Sequence, residues 1–341
     1  MVKTKFQTVV EIPMFNRKTS YSKKNVFLGS CFTENVGNKM AELKYNVDIN
    51  PFGILYNPAS VANGINILLE ELQIDEKELV HHNGLWHSFF HHGKFSDSDK
   101  NKTLENINSR LRFSSEYLKS TDFLFVTFGT AWIFEYKKTG EVVSNCHKIP
   151  AAEFERRRLS PEEIVNNYLQ LLPKVWEQNP ECKIIFTVSP VRHWKDSAIE
   201  NQRSKATLIL AIDSIIRKFG TEKCNYFPSY EIMMDELRDY RFYADDMIHV
   251  SEVGIDHIWN LFEENLIDES SKFLKNRIQK IKKAFLHRPY NRVSKEYLDF
   301  LNIALKQVKE LQKEFPNLNF ELEKNHFKVE FDEIKKKFEQ F

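Results

Sequence analysis

A chain of 341 residues with 42% apolar and 28% charged residues, 28 of its side chains phenylalanine, has the composition of an ordered globular protein and excludes the disordered and low-complexity classes. Its ten glycines argue against a large all-β fold. The net charge of +1 is uneven: Leu266 to Phe341 holds 17 Lys/Arg against 12 Asp/Glu, a balance of +5, which leaves −4 for the rest. No recognised nucleic-acid-binding motif accompanies the basic tail, so nucleic acid is not an expected partner.

The amino terminus, "MVKTKFQTVVEIP", lacks the apolar core of a signal peptide, and no run of about 18 apolar residues follows anywhere, so membrane association is not expected and a cytoplasmic location is the simplest expectation. "NVFLGS" then reads as a buried strand that runs through Gly-Ser-Cys into the helical "ENVGNKMAEL". "NVDIN", "DFLFVTFG", "KIIFTVSP" and "CNYFPS" read as four more buried strands. Helical periodicity fills the intervals in "PASVANGINILLEEL", "PEEIVNNYLQLLPKVWEQ" and "SKATLILAIDSIIRKF". Regular alternation of strand and helix predicts a three-layer α/β domain with a parallel sheet.

Two insertions interrupt this rhythm. His81 to Asp99 is rich in histidine and aromatics; Glu135 to Ser160 begins like a hairpin around Thr139 and Gly140 and continues into Arg156-Arg157-Arg158. Both lie where lids over a site are expected. The arginine run suits either a substrate anion or a solvated helix start. Beyond Leu266 the strand signal stops. Leu274, Ile278, Ile281 and Phe285 repeat at helical steps, as do Tyr297, Leu301, Ala304, Val308, Leu311 and Phe315, with Ser294 as a cap for the second helix. The stripes suit an antiparallel hairpin, docking on the main domain, or a homodimer seam. The expected division is therefore an α/β domain over 1–265 and a basic helical extension over 266–341.

The residues with chemistry lie at the two ends of the alternating region. A strand that ends in Gly29-Ser30-Cys31 before a helix lifts a nucleophile to the carboxyl edge of a sheet, although the same small residues suit a plain βα turn. Asp246 and His249, in "FYADDMIHVSEVG", have the spacing of an acid that orients an imidazole base. Loops after different parallel strands converge at one edge, so the two motifs can meet. Cys31, Cys146, Cys182 and Cys224 are scattered without C-x-x-C spacing, which fits a reducing compartment. His81, His82, His87, His91 and His92 form no zinc signature. No metal and no cofactor is expected; Trp86 and His87 are candidates for substrate contact or for ordinary loop and core packing.

"LGSCFTENVG", "INPFGILYNP", "LWHSFFHHGKFS", "TFGTAW", "NCHKIP", "RRRLS", "TVSPVRH" and "FPSYEIMMDELRDYRFYADDMIH" resemble the GSCFA family, which is similar to the SGNH, or GDSL-type, hydrolases. The resemblance covers roughly Phe6 to Phe262. It implies a flavodoxin-like parallel sheet of order 2-1-3-4-5 and acyl-ester chemistry, by hydrolysis or by acyl transfer, on an acylated carbohydrate or small metabolite. In its first block Cys31 stands at the nucleophile position, with Ser30 the alternative if the turn were one residue shorter. A helix N-terminus and a nearby histidine are expected to lower the Cys31 pKa.

The second block implies that the Gly53 N–H is an oxyanion donor beside that of Cys31. In the third, Ala131 replaces the oxyanion asparagine, and Thr130, Asn145, His147 and His193 are candidates to compensate. An asparagine restored at 131 is expected to supply the donor, or to clash if another group fills the space. In the last block Val250 stands where a proline is usual. The missing asparagine also supports the alternative of a catalytically weak binding protein.

Overall fold

The computed structural model describes residues 7–338. They form two compact units, one of 7–40 with Asn46–Ile267, the other of Ala41–Tyr45 with 268–338. In the larger unit the central strands are β1 (Lys24–Gly29), β2 (Asn46–Ile49), β3 (Phe123–Phe128), β4 (Lys183–Val188) and β5 (Cys224–Tyr226). All their pairings are parallel, as the alternating pattern predicts, and their order is β2-β1-β3-β4-β5, the flavodoxin-like topology that the family resemblance implies.

Every residue of β3 and β4 is buried, as befits strands covered on both faces. The two-residue period of a strand then assigns the layers. Val26, Leu28, Leu124, Val126, Ile184 and Phe186 share one apolar cluster with residues of α2 (Pro58–Leu69), α4 (Pro161–Gln178) and α5 (Ser197–Phe219). Phe27 and Phe125, on the alternate positions, stack with centroids 4.4 Å apart, and Phe125 meets Phe262 of α6 (Glu252–Leu266) at 5.4 Å. The remaining helices of this unit longer than one turn are α1 (Cys31–Glu42) and α3 (Lys100–Leu118). Helix starts are fixed locally: Asn57 accepts the Ser60 N–H, Ser160 and Glu163 form a reciprocal capping box, and Ser251 accepts the Gly254 N–H.

The first insertion is an antiparallel hairpin, Leu79–His82 with Leu85–Ser88, turned by Asn83 and Gly84, whose φ values of 48° and 76° suit the twist of a two-residue turn. The second contributes to a three-stranded antiparallel sheet with Trp132–Tyr136 at its centre, between Glu141–Val143 and Phe154–Arg158. Arg156 to Arg158 therefore form a strand and not a helix start. Carboxylates from neighbouring elements neutralise them: Asp196 on Arg156, Glu135 and Glu163 on Arg157, Glu200 on Arg158.

In the smaller unit, α7 (Ser271–Phe285) and α8 (Lys295–Glu314) follow the apolar stripes, and Ser294 caps α8 by accepting the Tyr297 N–H. A third helix, α9 (Glu321–Phe338), was not foreseen; its charge-rich sequence buries only Phe327 and Ile334. The apolar stripe of α8, including Leu301, Ala304, Val308 and Leu311, is buried. Among the described residues no helix is long and apolar enough to cross a membrane.

Candidate active site

Strand β1 ends at Gly29, with φ at 141° and its N–H donated to Asn50 Oδ1 at 2.9 Å. A Cβ there would lie 2.1 Å from the Thr127 carbonyl oxygen of β3, so only glycine lets the two strand ends approach. Ser30 follows, 1% exposed, its Oγ buried without a hydrogen-bond partner. Cys31, the first residue of α1, is partly accessible. The first N–H groups of a helix have no intrahelical acceptor and carry its positive end. Burial nevertheless pushes the Cys31 thiol up from its ordinary value, against the opposing pull of the Phe32 N–H, Lys205 and its own N–H. The expected depression is thus corrected: desolvation outweighs the helix terminus, and the resting group is a thiol that needs a base.

His249 carries an imidazole set against a carboxylate. Its Nδ1 lies 2.6 Å from Asp246 Oδ2, while Asp246 Oδ1 accepts the N–H groups of Ile248 and His249, each at 2.9 Å. The hydrogen bond to the imidazole, then those from the two backbone N–H groups, hold the Asp246 carboxyl at about 2. A carboxylate on Nδ1 leaves Nε2 as the proton acceptor. The turn that brings acid and base together closes through the Ala244 N–H to the His249 carbonyl at 2.8 Å and holds Met247 at a φ of 58°.

Ser30, Cys31 and His249 line one cavity of about 240 Å³, together with Tyr56, Arg192 and His193. Two further cavities adjoin it. One of about 280 Å³ shares Tyr56, His193 and Lys195 with the first and is walled by Trp132, Phe134 and Arg156 of the inserted sheet. Another of about 470 Å³ shares Arg192, Trp194 and Ile248 and is lined by Met233, Met234, Met247, Tyr240 and Tyr243. Among the described residues, no group of three or more His, Cys, Asp or Glu is placed to hold a metal ion.

Several expected donors are engaged elsewhere. The Gly53 N–H donates to the Asn50 carbonyl at 2.8 Å, and a Cβ on Gly53 would lie 2.3 Å from His92 Cβ; with φ at 78°, its glycine serves a turn and a close contact. The Tyr56 carbonyl accepts the N–H groups of both Gly129 and Thr130. Thr130 Oγ1 meets Ser204 Oγ at 3.1 Å, and Thr130 and Asn145 line the 280 Å³ cavity instead of the one at Cys31. His147 stacks on His87 at 4.3 Å and its Nε2–H donates to the Ser88 carbonyl at 2.8 Å. His87 bonds Ser96 Oγ at 2.7 Å, and Trp86 packs on His81 at 4.8 Å. Trp86, His87 and His147 line none of the three cavities; they organise the inserted hairpin.

His193 alone of the four proposed substitutes faces Cys31 and His249 across the cavity. Burial, reinforced by Lys205, holds its imidazole down to about 4, so at neutral pH it is an uncharged ring with one N–H to donate. Tyr56, Arg192 and Lys205 escaped the sequence. A signal existed for the last: Lys205, Leu208, Ile212 and Ile215 share one helical stripe, and a lysine on an apolar stripe is out of place.

Fold and site together define a flavodoxin-like α/β protein with a thiol, an imidazole and a carboxylate gathered at the carboxyl edge of its sheet. The chain belongs to the GSCFA family: the model of that family matches residues 24–262, and that of the GSCFA domain protein, C-terminal domain, matches residues 278–333. Among solved structures, an acetyl xylan esterase from the rumen bacterium Butyrivibrio proteoclasticus aligns at 12% identity with a TM-score of 0.35, over 73% of this chain and 65% of that protein's length. No curated protein matches the sequence significantly.

Proposed function

We propose that the protein is an acyl-ester hydrolase or acyltransferase in which Cys31 is the nucleophile, His249 the general base and acid, and Asp246 the residue that orients it. The observation that carries this is the common cavity of Cys31 and His249, with the 2.6 Å Asp246 bond on the far nitrogen of the imidazole. Cys31 is preferred to Ser30 because its side chain is accessible, whereas Ser30 is 1% exposed.

In the first half-reaction His249 Nε2 takes the thiol proton as Sγ bonds to the ester carbonyl carbon. The oxyanion is stabilised by the Cys31 and Phe32 N–H groups at the start of α1 and the neutral His193 ring. Collapse breaks the C–O bond, His249 returns the proton to the departing alkoxide, and an acyl thioester on Cys31 remains. Water, or an acceptor hydroxyl, then attacks the thioester with its proton passing to His249. The acid or new ester departs, and the proton returns to the thiolate. The methionine-rich cavity suits the acyl group; the aromatic and arginine-walled cavity suits the polar alcohol portion of an acylated carbohydrate or small metabolite.

A catalytically weak binding protein is the alternative, and the engagement of the Gly53, Gly129 and Thr130 N–H groups by internal carbonyls favours it. Labelling with an electrophilic acyl probe, mapped by mass spectrometry, separates the two. Label on Cys31 that is lost in Cys31→Ala supports the enzyme. Label lost only in Ser30→Ala moves the nucleophile by one residue, and the absence of label from both residues sinks the covalent mechanism.

A further inference from the structure

Lys205 is fully buried, yet it is a lysine on the apolar stripe of α5. Its Nζ donates to two main-chain carbonyls, those of Gly129 and Ser189, each at 2.7 Å. These residues follow β3 and β4 directly and both line the cavity that holds Cys31. The ring of Tyr230 lies 5.5 Å from the same nitrogen. An ammonium whose acceptors are carbonyls is costly to bury, and an apolar side chain of similar volume would ordinarily serve the helix better. Retaining the charge makes sense if an anion forms beside it. The acid that faces Lys205, Glu231, is already held by the Tyr226 hydroxyl at 2.8 and 3.0 Å.

We propose that Lys205 is a positioning residue, whose ammonium ties the ends of β3 and β4 together beneath the cavity and supplies the charge that stabilises Cys31 once its proton has passed to His249. The inference rests on the nucleophile assignment above. Its electrostatics are reciprocal: Lys205 favours the thiolate, and the thiolate favours the ammonium. Burial, the largest cause, brings Lys205 down to about 7 with the opposing pull of Cys31 and Glu231 already counted, so its charge is partly present at neutral pH. Arg192 opposes the ammonium and Glu231 supports it, while Lys205 itself disfavours charge on His193. Around Cys31, Glu34 works against the thiolate, Tyr56 stands nearby, and His249 lies across the cavity. The clamp and the charge are distinct roles, since only the charge changes how readily Cys31 ionises.

The test is the rate of Cys31 alkylation by iodoacetamide in the full-length protein, followed from pH 6 to 10 and resolved from the other cysteines by mass spectrometry. In Lys205→Met the rate near neutrality, where the ammonium is partly present, should fall about fivefold, the effect of losing a partly populated neighbouring charge worth about one unit. Lys205→Arg, which keeps the charge, should restore the wild-type profile. Should Lys205→Met fail to fold, the near-isosteric Glu231→Gln decides. Losing the acid that supports the ammonium should slow Cys31 alkylation near neutrality, whereas a direct effect of removing a negative charge would speed it. A folded Lys205→Met with an unmoved profile, or a Glu231→Gln rate near neutrality that stays or rises, overturns the role of Lys205 and leaves the nucleophile standing. A wild-type Cys31 that never reacts overturns the nucleophile assignment first, and this inference with it.

Discussion

Ala131→Asn introduces the amide that SGNH-type hydrolases place in their oxyanion hole, and of the two results expected from sequence the surroundings of Ala131 favour the clash. Ala131 is fully buried in the main apolar cluster, with its N–H donated to Ser204 Oγ at 2.7 Å and its carbonyl accepting the Leu159 N–H at 2.9 Å. Held on both sides, the backbone cannot rotate the new side chain toward Cys31. Burying an amide without partners costs about 1–3 kcal/mol, and overpacking the site adds about 1–3 kcal/mol. The variant should therefore lose about 2–6 kcal/mol, which for a domain of this size lowers the melting temperature by roughly ten degrees. Urea unfolding, with the slope compared between variants, measures the loss of stability, and initial rates on small esters show whether the amide reaches the cavity. An unchanged midpoint with a rate increase of about tenfold would refute the reasoning, because it would require the amide to reach the cavity.

Asp246→Asn should lower turnover about a hundredfold or more with little change in KM, as imidazole orientation is lost. Because the Asp246 carboxyl is held at about 2, it stays ionised on raising the pH from there, so any acid limb in kcat between pH 4 and 8 is not its titration and should persist in shape in the variant. His193→Phe should lower kcat by about 10²–10³ while leaving KM nearly constant, since a donor to the developing oxyanion acts in the transition state; equal losses in binding and turnover would demote it to a wall of the pocket. Because the His193 imidazole is neutral above about 4, its contribution should not vary from pH 6 to 9.

The layered fold was legible because β3 and β4 are continuous apolar runs buried at every position, a pattern only a strand covered on both faces shows. Cap chemistry was local too: Ser160 with Glu163 and Ser294 with the Tyr297 N–H act within one turn of helix. α9 and the Phe154–Arg158 strand were not legible, since a charge-rich helix and an arginine-rich strand are stabilised by partners far along the chain, such as Asp196 and Glu200. In the site, the spacing of Asp246 and His249 was enough to pair them, because a short turn determines their distance.

By itself, then, the sequence determined the alternating elements, the strand-to-helix turn at Gly29-Ser30-Cys31 and the acid-imidazole pair, all of them consequences of neighbours within a few residues. Only the tertiary structure decided which donors are free. Gly53 loses its N–H to Asn50, Ala131 turns into the core, His147 goes to the hairpin, and His193 and Lys205 arrive from another strand's loop and the helix behind it. Desolvation decided the state of Cys31 in the same way, since how far a thiol is buried depends on every element packed around it and on no single stretch of sequence.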